Sequence, residues 1–222
     1  MPSIIQADLL KDASATKTLA TLSSSAVTLS TDVTVPASVG SSWVLLGTSD
    51  GTNQTSIALE NVMTSTDYNY YKIYGGFLPV SDSKHIHARW GYGGGSTTYL
   101  DASEYVNTGY KSYSNGSTSS SAAHSGLWSY GFYATNVGNA STDPGVHFEY
   151  TFHKPWLTNG SRKTASYTYM KYEGNDYIIN NNASVFNQAT ALLTQGITAI
   201  KFYASDSVNI TGQMQLYGLK KS

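Results

Sequence analysis

Two imidazoles two residues apart on a strand project from the same face, and His85 and His87 stand in that relation within Lys84-His-Ile-His-Ala-Arg-Trp90. Such a pair can offer two nitrogens to a transition metal, and three pairs around a trimer axis would offer about six. The plainer alternative is two outward polar residues on a strand whose other face holds Ile86, Ala88 and Trp90. No cofactor is expected on that alternative. A hydrolase needs paired carboxylates, or a nucleophile with its base. Acidic residues are scattered after Gly40, and only Glu149, beside His147, invites an acid–base role. One pair without convergent partners reads as a solvent-facing strand position. Gly91-Tyr-Gly-Gly-Gly95 lacks the lysine and the strand-to-helix setting of a phosphate loop. The chain is therefore expected not to be an enzyme.

Contact chemistry has better material. Tyr105, Tyr110 and Tyr113 precede a serine-rich stretch at 114–121, and Trp156 sits in His153-Lys-Pro-Trp-Leu157. Tyr and Trp give rigid, amphipathic contact area, while Ser, Asn and Gly adapt their hydrogen bonds. These four aromatics are the expected receptor contacts, with a surface glycan as the expected ligand class. The competing reading places them in the core or at a subunit interface, where Tyr is common. Six Asn-x-Ser/Thr triplets, at Asn53, Asn115, Asn139, Asn159, Asn182 and Asn209, read as exposed turns in a chain rich in these residues.

The elements that must position these side chains are strands. Ile57 and Leu59 share one face of Thr55-Ser-Ile-Ala-Leu-Glu60. Val146, Phe148, Tyr150 and Phe152 point one way, and His147, Glu149 and Thr151 the other. Tyr68–Tyr74, Leu127–Tyr133, Thr164–Tyr172, Ile197–Tyr203 and Gln213–Leu219 continue the pattern. Asp50-Gly51, Gly75-Gly76, Gly93–Gly95, Asn115-Gly116, Asp143-Pro144, Asn159-Gly160 and Gly174-Asn175 read as the turns between runs. One helix is expected from the spacing of Val185, Phe186, Ala189, Leu192 and Leu193, with Ser184 as its cap and Gly196 beyond its end. Many short strands with regular turns predict an all-β fold: an antiparallel β-sandwich, jelly-roll-like, with a short extended N-terminal segment.

Composition divides the chain near Gly40. Residues 1–42 hold Ser, Thr, Ala and Val without aromatics, in extended-favouring stretches Lys17–Leu22, Ala26–Ser30 and Asp32–Val35. They carry too few large apolar groups for a core of their own, so they read as an anchoring or intertwining segment, or as a flexible leader. Residues 43–222 hold all 18 Tyr and all 4 Trp and read as the sandwich domain. Charge is sparse and balanced, 13 Lys+Arg against 14 Asp+Glu, with no basic run longer than a pair. That argues against a nucleic-acid groove, which needs clustered cations. No Cys is present, which fits assembly in a reducing cytoplasm. No targeting segment or membrane span is expected, since Trp43-Val-Leu-Leu46 is the longest apolar run.

Several stretches resemble a family of marine tailed-bacteriophage virion structural proteins, described as tail-fibre-like or minor structural proteins. Ile5-Gln-Ala-Asp-Leu-Leu-Lys-Asp12 is similar to their N-terminal segment, and Trp43-Val-Leu-Leu-Gly-Thr48 to the start of their main domain. Thr66–Tyr74 resembles their first aromatic strand, Gly93–Tyr99 their glycine turn, and Ile197–Phe202 with Gln215–Lys220 their closing strands. The resemblance implies a β-sandwich on a virion, assembled in the host cytoplasm, and supplies no catalytic residue. The expected role is a tail-fibre-like appendage, a homo-oligomer and most simply a trimer. It would contact other virion proteins and a host surface glycan, with no nucleic-acid partner and no membrane insertion. A capsid decoration protein and a glycan-binding adhesin module are the alternatives.

Overall fold

The computed structural model describes residues 9–11, 18–22, 27–29, 43–100, 104–113, 126–128, 130–139, 145–173, 177–187 and 191–221. The chain forms two compact units, residues 1–42 and 43–221. In the first, β1 (Leu9–Lys11), β2 (Thr18–Leu22) and β3 (Val27–Leu29) make an antiparallel three-stranded sheet in that order. The extended stretch expected at Asp32–Val35 lies outside the described residues.

The second unit is an antiparallel β-sandwich. Its strands are β4 (Trp43–Gln54), β5 (Ile57–Leu59), β6 (Tyr68–Pro79), β7 (Lys84–Tyr92), β8 (Thr98–Tyr99), β9 (Tyr105–Tyr113) and β10 (Gly126–Trp128). They continue with β11 (Phe132–Val137), β12 (Val146–His153), β13 (Thr164–Glu173), β14 (Tyr177–Asn187), β15 (Ala199–Ala204) and β16 (Ile210–Lys220). The larger sheet runs β10-β9-β14-β13-β12-β6-β16-β4, and the smaller runs β11-β7-β15-β5 with β8 paired to β7. The chain crosses repeatedly between the two, with β4, β6, β12 and β16 in one sheet and β5, β7, β11 and β15 in the other. This alternation gives the fold its jelly-roll-like character.

Alternation in the sequence becomes the core directly. Tyr71, Ile73 and Phe77 of β6, Val146 to Phe152 of β12 at alternate positions, and Met214 and Leu216 of β16 point inward from the larger sheet. Ile86, Ala88 and Trp90 of β7, Phe132 of β11 and Ile200 and Phe202 of β15 answer from the smaller. Four phenylalanines interlock across the gap: Phe148 stacks on Phe202 at 4.6 Å between ring centroids, Phe77 lies 5.1 Å from Phe202, and Phe132 lies 5.4 Å from Phe148. Each such side chain contributes about 1.5–3 kcal/mol by leaving water. Several polar groups inside are paired across the strands. Trp90 Nε1 donates to the Tyr150 hydroxyl at 2.8 Å, and that hydroxyl donates to the Gly131 carbonyl at 2.8 Å. Lys171, buried on the inner face of β13, donates through Nζ to the carbonyls of Thr135 and, at 3.3 Å, Asn136, joining β13 to β11.

Three local expectations change. The helix expected around Val185–Leu193 is strand β14 through Asn187, followed by one α-turn, α1 (Ala191–Thr194). Val185 pairs with Ala165 and is buried, so ladder pairing with β13 overrides a helical spacing that short apolar runs can mimic. Gly75-Gly76 and Asp50-Gly51, read as turns, lie inside β6 and β4. A Cβ on Gly75 would stand 2.7 Å from the Phe148 ring and 2.8 Å from the Gln213 carbonyl oxygen. Glycine is used there for close approach between neighbouring strands. Finally, Tyr105 belongs to the core, as described below.

Candidate functional site

On the outer face of the larger sheet, the residues that alternate with the core ones form a continuous polar and aromatic surface. Strand β6 presents Tyr70, Lys72, Tyr74 and Gly76, β12 presents His147, Glu149, Thr151 and His153, and β16 presents Gln213, Gln215 and Tyr217. Gly76 stands in register between His147 on one side and Gln213 on the other. The missing side chain at that point opens a groove of about 580 Å³ lined by Asp50, Thr52, Tyr74, His147, Gln213 and Gln215. A Cβ on Gly76 would lie 2.8 Å from His147 Nδ1, so even alanine would narrow it.

The aromatic rings around the groove are held in place. The Tyr74 ring meets Tyr217 edge-on at 5.9 Å, and the Tyr217 hydroxyl donates to Gln215 Oε1 at 2.9 Å. Lys72 Nζ lies 5.2 Å from the Trp43 ring centroid and 5.5 Å from that of Tyr74, and pairs with Glu149 Oε1 at 2.7 Å. That hydrogen bond to Glu149 raises the Lys72 pKa, with burial opposing it. Glu149 is therefore the ion-pair partner of Lys72 across β6 and β12. Further along the same face, Tyr70 stacks on His153 at 4.8 Å beside a second cleft of about 380 Å³ lined by Thr151, Thr164 and Ser166. Tyr70 and Tyr74 are 40% and 43% exposed, high for large aromatics. Four residues of strand separate them by roughly 13 Å.

The residues singled out from sequence fall elsewhere. Tyr105 is fully buried: its hydroxyl accepts from the Trp90 backbone N–H at 2.8 Å, and its ring meets Trp90 edge-on at 5.2 Å. It is committed to the core and offers nothing to a receptor. Tyr110 and Tyr113 lie in β9, paired with Asn182 and Ile179 of β14, and their side chains fall outside the described residues. Trp156 is part-buried against the core. Its Nε1 donates to the Tyr68 carbonyl at 2.8 Å, and Lys221 Nζ lies 5.0 Å from its ring. The indole fastens the loop after β12 to the start of β6.

His85 and His87 do lie on the outer face of the smaller sheet, with ring centroids 6.0 Å apart. His85 Nδ1 accepts from the Asn136 N–H at 3.1 Å. His87 is not solvent-facing: it is only 4% exposed, with Tyr130 stacked on it at 3.7 Å and Tyr133 at 5.2 Å. Neither ring nitrogen of His87 has a hydrogen-bond partner among the described residues. Burial, then the charges of His85 and Arg89, push its pKa down to about 3. Among the described residues no group of three His, Cys, Asp or Glu is placed to hold a metal ion, and no helix is long and apolar enough to cross a membrane.

Sequence reading missed the groove because its glycine floor read as a turn. The signal that could have found it is the outward half of the alternation in Tyr70–Gly76 and Gln213–Tyr217, where aromatic and amide side chains alternate with a core.

No protein-family model and no curated protein matches the chain. Among solved structures, the Bacteroides ovatus mixed linkage glucan PUL (MLGUL) GH16 in complex with G4G4G3G product aligns over 78% of this chain and 79% of that one. The identity is 14% and the TM-score 0.22, a likeness too slight to bear on function.

Proposed function

We propose that the chain is a non-catalytic binding protein whose larger sheet takes an extended, hydroxyl-rich, uncharged polymer, a surface polysaccharide, along its outer face. The supporting observation is the gap at Gly76, bounded by the Tyr74 ring and by the amides, carboxylate and imidazole of Gln213, Gln215, Asp50 and His147. A ring offers a flat apolar wall, and amides and a carboxylate offer fixed donors and acceptors to hydroxyls; sites of few, well-placed polar groups beside aromatic surface orient small ligands this way. The second cleft beside Tyr70 on the same face favours a chain over a single sugar.

The setting we favour is a fibre-like appendage of a tailed-phage virion, on the sequence resemblance and the sparse charge. Subunit contact has a candidate surface in β4, which ends the larger sheet and exposes Val44 (38%) and Leu45 (51%). Exposed apolar edge strands are ready templates for pairing.

Binding of the full chain to a panel of host-surface polysaccharides tests the reading. Tyr74→Ala is expected to weaken binding about tenfold or more, in line with loss of an aromatic anchor, while leaving the fold intact. Equal binding by the variant, or no binding to any polysaccharide, counts against it. A decoration protein that only staples a shell would give the second result.

A further inference from the structure

The loop between β12 and β13 ends in the tip Thr158-Asn-Gly-Ser161, every residue of which is exposed. The stem beneath it is clamped on both sides. On the outgoing side the Pro155 carbonyl accepts from the Ile197 N–H at 2.8 Å, and Trp156 Nε1 donates to the Tyr68 carbonyl. On the return side buried Lys163 donates through Nζ to the carbonyls of Leu192 at 2.7 Å and Ser161 at 2.8 Å. A fixed stem therefore holds an exposed asparagine–glycine step.

The step itself is folded into an Asx-turn. The Ser161 N–H donates to Asn159 Oδ1 at 3.3 Å. The ring closed by that bond contains both the Asn159 side-chain carbon Cγ and the Gly160 nitrogen. Gly160 has φ +82°, which glycine adopts without strain, and nothing lies within 4 Å of where its Cβ would stand. No side chain at that position hinders the nitrogen from approaching Cγ.

We propose that Asn159 is a modification site at which the folded chain promotes its own conversion to aspartate and isoaspartate. The Gly160 nitrogen gives up its proton and bonds to Asn159 Cγ, and the side-chain amide nitrogen leaves as ammonia. The Ser161 N–H already meets the oxygen on which negative charge develops in that step. The turn also removes freedom that an unfolded chain must lose before the two atoms meet. Water then opens the resulting five-membered imide. Opening at the Cγ carbonyl leaves aspartate on an ordinary backbone. Opening at the Asn159 backbone carbonyl leaves isoaspartate, with the main chain rerouted through Cβ and Cγ. Both products carry a carboxylate where the amide stood. Only isoaspartate lengthens the main chain, two residues before the carbonyl that accepts from Lys163. Shifting Ser161 takes one acceptor from a buried ammonium group, which is costly. The site is independent of the polysaccharide groove.

The test is to age the full chain at mildly alkaline pH, folded in buffer and unfolded in urea, and to map its peptides for the amide-to-acid mass gain and for isoaspartate. Asn159 should convert several times faster in the folded chain than in the unfolded one. Asn159→Gln, which would have to close a larger ring, should abolish the conversion in that peptide. The isoaspartate form, separated by ion exchange, should melt at a lower temperature than fresh protein. Asn159→Asp, which adds the charge without lengthening the main chain, should melt with fresh protein. Equal rates in the two states, or slower conversion in the folded chain, would overturn the proposal. An isoaspartate form as stable as fresh protein would overturn the link to Lys163. Neither result bears on polysaccharide binding.

Discussion

At the scale of single residues, Tyr150 shows how one hydroxyl joins two sheets. It accepts from Trp90 Nε1 on the smaller sheet's β7 and donates to the Gly131 carbonyl just before β11. Phenylalanine at this position keeps the ring but strands a buried indole N–H and a buried carbonyl. Tyr150→Phe should therefore lower unfolding stability by about 1–3 kcal/mol, read from the urea midpoint at unchanged slope; an unaltered midpoint would show the network to be dispensable. His87 makes a second residue-level prediction. Its folded pKa of about 3 lies below the ordinary value of 6.5 because burial, His85 and Arg89 disfavour the cation, with Asp206 opposing weakly. The unfolded chain thus binds a proton that the folded chain refuses between those two values. Its contribution to stability is complete above about pH 6.5 and is lost as pH falls toward 3, at up to about 1.4 kcal/mol per pH unit. His87→Phe should flatten that part of the stability-versus-pH curve, and an identical slope in wild type and variant would remove His87 as its source. The same imidazole and its partner tyrosines Tyr130, Tyr133 and Tyr203 explain why a strand-face His-x-His reading pointed to two outward imidazoles where the fold buries one of them in an aromatic stack.

At the scale of elements, the paired strands β6 and β16 carry most of the account. Their glycines do different work. A Cβ on Gly76 meets the exposed His147 side chain, which can swing away, whereas a Cβ on Gly212 would lie 2.1 Å from the Gly76 carbonyl oxygen. Gly76→Ala should change stability by less than about 1 kcal/mol yet reduce polysaccharide binding. Gly212→Ala should force the two backbones apart and cost about 1–3 kcal/mol. Thermal melts of both variants beside a binding assay check the pair, and the reverse order of stability would mean the groove is not where Gly76 places it. Legibility followed the same division. Period-two alternation in Val146–Phe152 and Lys84–Trp90 specified both the strand and its buried face, because each strand covers one side of a core. It did not reveal which outward residues converge, since Asp50, Tyr74, His147 and Gln213 come from four strands whose neighbour order is set by pairings between distant residues, Asp50 and Gln213 being 163 positions apart. Tyr105 and Trp156 looked like surface aromatics because composition does not tell a tyrosine that caps a backbone amide from one that faces water. The apparent helix near Val185 failed for a similar reason: its apolar spacing is short enough to serve a strand once β13 lies alongside.

At the scale of the molecule, the sandwich presents two outer faces of different character. The larger sheet offers amides, hydroxyls and half-exposed rings around a glycine gap, while the smaller sheet packs a buried imidazole among tyrosine rings. A chain with 13 basic and 14 acidic residues in 222 has little long-range field to steer a partner, so recognition must rest on these local arrangements. The central claim is that polysaccharide lies along β6, β12 and β16 and leaves unchanged. Titrating the isotopically labelled full chain with a fragment of the polysaccharide it retains best, and mapping the perturbed backbone amides while monitoring the fragment for cleavage, tests it most directly. The account predicts shifts concentrated at Tyr74–Gly76, His147 and Gln213–Gln215 with the fragment intact; shifts confined to other strands, or new reducing ends, would contradict it.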